Sequence, residues 1–179
     1  DGVLRGNTNS LQGDIENNAS VAFDQAYTGT YDGILLGTGA VDKQNTGTVV
    51  VTGANTHSGG TTINAGTLAL SGSGRLSSTG AVTIDAGAFD ISNTTGSFQT
   101  IGDLSGSGGE VILGEKTLLT ATENDKSYAG VIRGSGALIK QGLGTLVLTG
   151  DNTYSGGTTV NDGVLRGNTN SLQGDIENN

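Results

Sequence analysis

The groups in this chain that could do chemistry are carboxylates, hydroxyls, a few cations and a single histidine, His57. There is no cysteine, which removes thiolate zinc sites, cysteine nucleophiles and disulfides. A serine-protease triad needs an imidazole held by a carboxylate beside a hydroxyl nucleophile. His57 stands in Asn55-Thr-His-Ser-Gly-Gly60, and Asn152-Thr-Tyr-Ser-Gly-Gly157 repeats that motif with Tyr154 in its place. A position that exchanges His for Tyr calls for a ring at a turn rather than a base, so His57 is read as structural. Glycan cleavage needs clustered acids, often with calcium and an arginine. The candidates are Asp85 with Asp90, Glu123 with Asp125, and Asp14 with Glu16 and its copy Asp175 with Glu177, beside an arginine such as Arg75 or Arg133. Their spacing predicts no single cleft, and the recurrence of Asp14/Glu16 suits a solvated edge.

Other patterns are weaker. Gly37-Thr-Gly39 and Ser105-Gly-Ser-Gly-Gly109 lack the Lys-Ser/Thr ending of a phosphate loop. Gly108-Gly109 runs into Glu110-Val-Ile rather than a calcium nonapeptide. Asn55/Asn64 and Asn152/Asn161 keep one spacing and are read as turn-capping or stacked asparagines, with sugar contact as the alternative. The expectation is therefore no catalytic residue, no cofactor and no metal, with no ligand-binding residue assigned.

Composition narrows the class further. Charged residues are 14% and aromatic residues 4% of 179, with 33 glycines and no proline, methionine or tryptophan. About 25% charge and 5% proline are usual. A net charge of −9 from 8 basic and 17 acidic residues argues against nucleic acid or anionic lipid as partner. No apolar run is long enough for a spanning helix, and the start at Asp1 shows no signal-peptide pattern.

Repeats organise the chain. Residues 1–18 recur unchanged at 162–179, an offset of 161. Residues 31–68 match 128–165 at an offset of 97, with 22 of 38 identical and no gap. Two nested periods imply an array. Asp1 lies inside a motif whose upstream half precedes Asp162, so the reading is a single β-helix fragment, 1–179, taken from a longer tandem array.

Between the glycines lie short alternating bursts: Thr48–Thr52, Thr61–Asn64, Thr67–Leu70, Ala81–Ile84, Ala88–Ile91 and Thr145–Thr149. Alternate residues such as Leu68 and Leu70 would face a core, and their neighbours water. Gly, Asn, Asp and Ser supply the turns. An all-β right-handed parallel β-helix (β-solenoid) of about eight rungs is expected, at roughly 20 to 24 residues per rung and about 4.8 Å rise. The alternative is an antiparallel sandwich. Missing prolines fit uninterrupted ladders, because every interior strand donates to its neighbours.

Residues 144–165, Gly-Thr-Leu-Val-Leu-Thr-Gly-Asp-Asn-Thr-Tyr-Ser-Gly-Gly-Thr-Thr-Val-Asn-Asp-Gly-Val-Leu, resemble the autotransporter-associated β-strand repeat. Residues 47–70 resemble a second copy. That resemblance, to passenger domains of bacterial type V secretion and their AIDA/ShdA/MisL-like adhesin group, implies a right-handed β-helix displayed at the cell surface. It also implies anchoring to the outer membrane through a C-terminal β-barrel, whose strand pattern is missing here. The function implied is a non-enzymatic rod binding host extracellular matrix, fibronectin-like ligands or cell-surface glycans. Self-association or a spacer role, and a glycan-active β-helix enzyme, are the alternatives.

Overall fold

The computed structural model describes residues 2–179. Its elements are all short parallel strands, and they wind a right-handed solenoid with three faces. Face one is built from Val3–Gly6, Ser20–Asp24, Ala40–Gln44, Thr61–Ile63, Val82–Ile84 and Leu104–Ser105, each hydrogen-bonded to the next. A parallel bridge from Gly106 to Tyr128 carries it on to Lys126–Tyr128, Thr145–Leu148 and Val164–Arg166. Nine strands on this face make about nine turns.

Face two stacks Gly29–Tyr31, Thr48–Val51, Thr67–Gly72, Ala88–Thr94, Glu110–Gly114, Val131–Gly134 and Thr153–Tyr154. Face three pairs Ile15–Glu16 with Leu35–Leu36, then loses regular pairing. It resumes with Phe98–Ile101, Thr117–Ala121, Leu138–Gln141, Thr158–Val160 and Ile176–Asn178. Paired residues lie 17 apart at Val3 and Ser20 and 22 apart at Val82 and Leu104. Most of the other turns lie between 19 and 22 residues, at the lower end of the 20 to 24 expected.

Alternation within each strand sends every second side chain inward, and parallel register stacks like on like. Phe89 lies between Leu68 and Val111, with Ile132 beyond, and each of the four is buried. Burying each such side chain contributes roughly 1.5–3 kcal/mol. Near one end Phe23 meets Tyr31 edge to face, with centroids 5.2 Å apart.

The two sequence periods have different geometric meanings. Following partners from Leu4 through Val21, Val41, Thr61, Val82 and Leu104, across the Gly106–Tyr128 turn, to Leu146 and Leu165 takes eight turns. The 161-residue offset is therefore a whole number of turns, rising about 38 Å at ~4.8 Å each. The 97-residue offset is not. Val41 lies on face one but its counterpart Leu138 on face three, and Val49 on face two but Leu146 on face one. The second copy is rotated by one face, after four and two-thirds turns.

Candidate functional site

His57 is buried, and its Nε2 lies 3.0 Å from Oγ1 of Thr61. Tyr154 makes the equivalent contact, Oη to Thr158 Oγ1 at 2.6 Å. Among the described residues no carboxylate holds the imidazole, and burial pushes its pKa below the usual value, so the ring is neutral at pH 7. A neutral, enclosed ring bonded to a threonine is a strut.

The acids do not converge. Asp85 is exposed at the corner between faces one and two and Asp90 lies on face two, while Glu123 and Asp125 occupy the corner between faces three and one. Asp14 and Glu16 sit near one end of the solenoid, Asp175 and Glu177 near the other, all exposed. Several carboxylates share one local task instead. Asp14 accepts the N–H of Ile34 at 2.8 Å, Asp85 that of Ser107 at 3.2 Å, Asp103 that of Glu123 at 2.9 Å and Asp125 that of Thr145 at 2.8 Å. Each staples its corner to the following turn. The bond from Thr145 holds the Asp125 carboxyl below the usual range. Among the described residues no group of three or more acids and histidines could hold a metal.

The glycine motifs are corners. Gly37 has φ 90° and Gly106 φ 141°, and a Cβ there would strike the carbonyls of Asn17 and Ile84 respectively. Asn55 and Asn152 are buried and wholly occupied by the backbone. Asn55 Oδ1 accepts the Leu35 N–H at 2.8 Å, and its Nδ2 donates to the carbonyls of Gly53 and Arg75. Asn152 Oδ1 accepts the Ile132 N–H at 2.7 Å, and its Nδ2 donates to Ser171 at 2.6 Å. Asn64 is exposed, and Asn161 accepts from Asn179 at 3.2 Å. The two arginines also part company: Arg133 bonds Glu110 at 2.9 Å, whereas Arg75 makes no ion pair among the described residues.

Two buried cations were not singled out from the sequence. Lys43 and Lys140 are fully buried, and each ammonium donates to three backbone carbonyls. Desolvation lowers the Lys43 pKa to about 8 and lowers that of Lys140 as well. The signal was present: Lys-Gln recurs at 43–44 and 140–141, two residues after Val41 and Leu138, which places each lysine on the inward parity of its strand.

The passenger-associated-transport-repeat matches residues 41–70 and 138–166. The chain is 41% identical over 148 residues, 79% of its length, to the adhesin BmaC autotransporter of Brucella suis biovar 1 (strain 1330). It is 56% identical over 39 residues, 22% of its length, to an extracellular serine protease of Serratia marcescens. It spans 4% of either relative's length. No solved structure matches. The chain thus carries two autotransporter passenger-associated repeats on one continuous solenoid and is related to BmaC-like adhesins.

Proposed function

We propose that the chain is one period of a tandem rod in a surface adhesin, contributing reach and repeated display rather than catalysis. The observation that carries this reading is the 161-residue recurrence covering eight whole turns. A period of whole turns lets copies continue one solenoid with every surface feature returning to the same face. Export fits the cysteine-free chain, since disulfides formed early would oppose passage of an unfolded polypeptide. Resemblance to an adhesin over 79% of the chain supports a binding role, for which the ligand we propose is host matrix, a fibronectin-like protein or a cell-surface glycan. Weak patches repeated along a rod would act through avidity. Anchoring would come from a C-terminal β-barrel elsewhere in the protein. Similarity alone does not decide between proteolysis and adhesion, since the chain aligns with relatives named for each.

The test is a chain carrying two 161-residue periods in tandem. Small-angle scattering should show a single rod longer than the one-period chain by about 38 Å. Retention on immobilised fibronectin, glycan arrays and whole cells should rise steeply with the number of periods. Two units that scatter as flexibly linked bodies would overturn the continuous rod, and no retention on any surface would reduce the function to a spacer.

A further inference from the structure

We propose that face three carries a binding site for acidic saccharides, centred on Arg75 and Phe98. The site exists because the ladder breaks there. Residues 73–81 form no strand, and Ala54 and Arg75 meet through a lone bridge. Phe98–Ile101 pairs with Thr117–Ala121 on one side only. Gln99 spans the gap: it is 4% exposed, and its Nε2 donates to the carbonyls of Leu76 at 3.3 Å and Thr100 at 2.5 Å. Its Oε1 receives no hydrogen bond from the described residues.

The break leaves two adjoining hollows of about 400 and 320 Å³, both bordered by Arg75, Phe98 and Gln99. That is the size range of small-ligand sites. Among the described residues no carboxylate lines either hollow. In a chain of net charge −9, an exposed guanidinium without an acid partner is a local attractor for anions. Arg5 and Arg133, by contrast, are neutralised by Asp24 and Glu110. Guanidinium presents a planar fork that matches a carboxylate or sulfate with two parallel bonds.

Phe98 is 61% exposed, an apolar plate on a chain with few aromatics. A pyranose ring has an apolar face that can lie on such a plate and a rim of hydroxyls that needs partners. Around the two hollows the Thr100 hydroxyl makes no hydrogen bond among the described residues and can donate, while those of Ser73, Ser77 and Thr95, already bonded to Thr52, Thr79 and Gly72, can accept. Two hollows side by side suit consecutive sugars, and the hydroxyl-rich lining offers no deep apolar pocket for a peptide side chain. The site occurs once in the chain, since Ser71-Gly-Ser-Gly-Arg75 aligns at the 97-residue offset with Asn168-Thr-Asn-Ser-Leu172.

The single-period chain is titrated with hyaluronan oligosaccharides, heparin oligosaccharides, a neutral dextran oligosaccharide and poly-glutamate, monitored by amide NMR. Hyaluronan or heparin should shift amides of residues 72–79 and 94–100, the better of the two identifying carboxylate or sulfate as the preferred anion. Arg75→Gln and Phe98→Ala should each weaken binding about tenfold or more, while Arg133→Ala leaves it unchanged. Melting curves establish that the variants fold, and Phe98→Leu replaces Phe98→Ala should the latter melt early. No shift, equal binding of dextran, tighter binding of poly-glutamate, or an undiminished Arg75→Gln would each overturn the assignment. Because a single period is used, the outcome does not depend on tandem continuity.

Discussion

Lys43 and Lys140, 97 residues apart in sequence and on different faces of the solenoid, hold the same three-carbonyl cage. Lys43 Nζ donates to Gln44, Asn45 and Ala65 at 2.9, 2.7 and 3.1 Å, and Lys140 Nζ to Gln141, Gly142 and Asp162 at 2.8, 2.6 and 3.2 Å. In both, two carbonyls come from the lysine's own corner and one from the next turn. The second of the corner residues has positive φ, 64° at Asn45 and 79° at Gly142. The left-handed residue tips its carbonyl toward the interior, and the ammonium satisfies it. In its ladder Lys43 lies between Phe23 and Ile63, so its methylenes complete the apolar column.

Replacing either lysine by methionine keeps the apolar stem and removes the donor. All three carbonyls lose the ammonium, although that of Gln44 keeps the Gln25 N–H and that of Gln141 the Thr122 N–H, and a charge-assisted bond to each is among the stronger kinds. Lys43→Met and Lys140→Met should each lower stability by about 2–3 kcal/mol in urea unfolding. Lys43→Arg should not restore it, because a planar fork cannot reproduce the ammonium's three diverging bonds. Equal stability of Lys43→Met and the parent would show that the cage contributes nothing.

The same lysines set an alkaline pH dependence. The Lys43 proton is held up to about 8 when folded and up to 10.5 when unfolded, so between these values unfolding takes up a proton. Stability then rises with pH, by roughly 2 kcal/mol between pH 8 and 10. Tyr31 acts in the opposite sense higher up. Burial, with the Asp14 and Asp32 charges, raises its phenol from 10.0 to about 12, and Tyr128 is also raised. Above pH 10 the unfolded chain releases protons that the folded chain keeps, and stability falls. A maximum near pH 10 is expected in the parent, and a flatter rise in Lys43→Met. Parallel curves would refute the assignment.

Much of this architecture is legible in the residues. The bursts at Thr48–Thr52, Thr61–Asn64, Thr67–Leu70 and Thr145–Thr149 become Thr48–Val51, Thr61–Ile63, Thr67–Gly72 and Thr145–Leu148, because alternation and glycine corners leave one periodic solution. The rotation of the second copy was not legible. Nothing in a 97-residue offset says whether it spans whole turns until the length of each corner is known. Lys43 escaped because a lysine reads as solvated, and only its inward parity says otherwise. The break at residues 73–81 escaped because Ser-Gly-Arg-Leu-Ser-Ser-Thr-Gly looks like any other corner, whereas here it replaces a strand.

His57→Tyr should be tolerated, with stability within about 1 kcal/mol of the parent. Tyr154 shows that such a corner accommodates a phenol and that its hydroxyl reaches the threonine four residues on. The variant also changes acid sensitivity. Burial lowers the His57 pKa below 6.5, so as pH falls through that value the unfolded chain gains a proton that the folded chain resists. The parent therefore loses stability on acidification, and His57→Tyr should lose less. Chemical unfolding at pH 7.5 and 5 measures both; an unchanged difference between the two pH values would rule out His57 as the source.

Removing one whole turn tests whether the solenoid is a sum of neighbour terms. Deleting residues 41–60 joins Ala40 to Thr61, which already pairs with Val41 and so follows it in the same column. Val21 would then meet Thr61, Phe23 would meet Ile63, and Tyr31 would meet Leu70, all with inward parity kept. The shortened chain should fold cooperatively, melt lower, and scatter as a rod about 4.8 Å shorter. Deleting residues 41–54 instead removes two faces and brings Asn55, which on face three receives the Leu35 N–H, into the face-one column. That chain should lose cooperative unfolding and near-native circular dichroism. If both deletions fold equally well, register between turns does not govern this fold, and the whole-turn length of the 161-residue period loses its structural meaning.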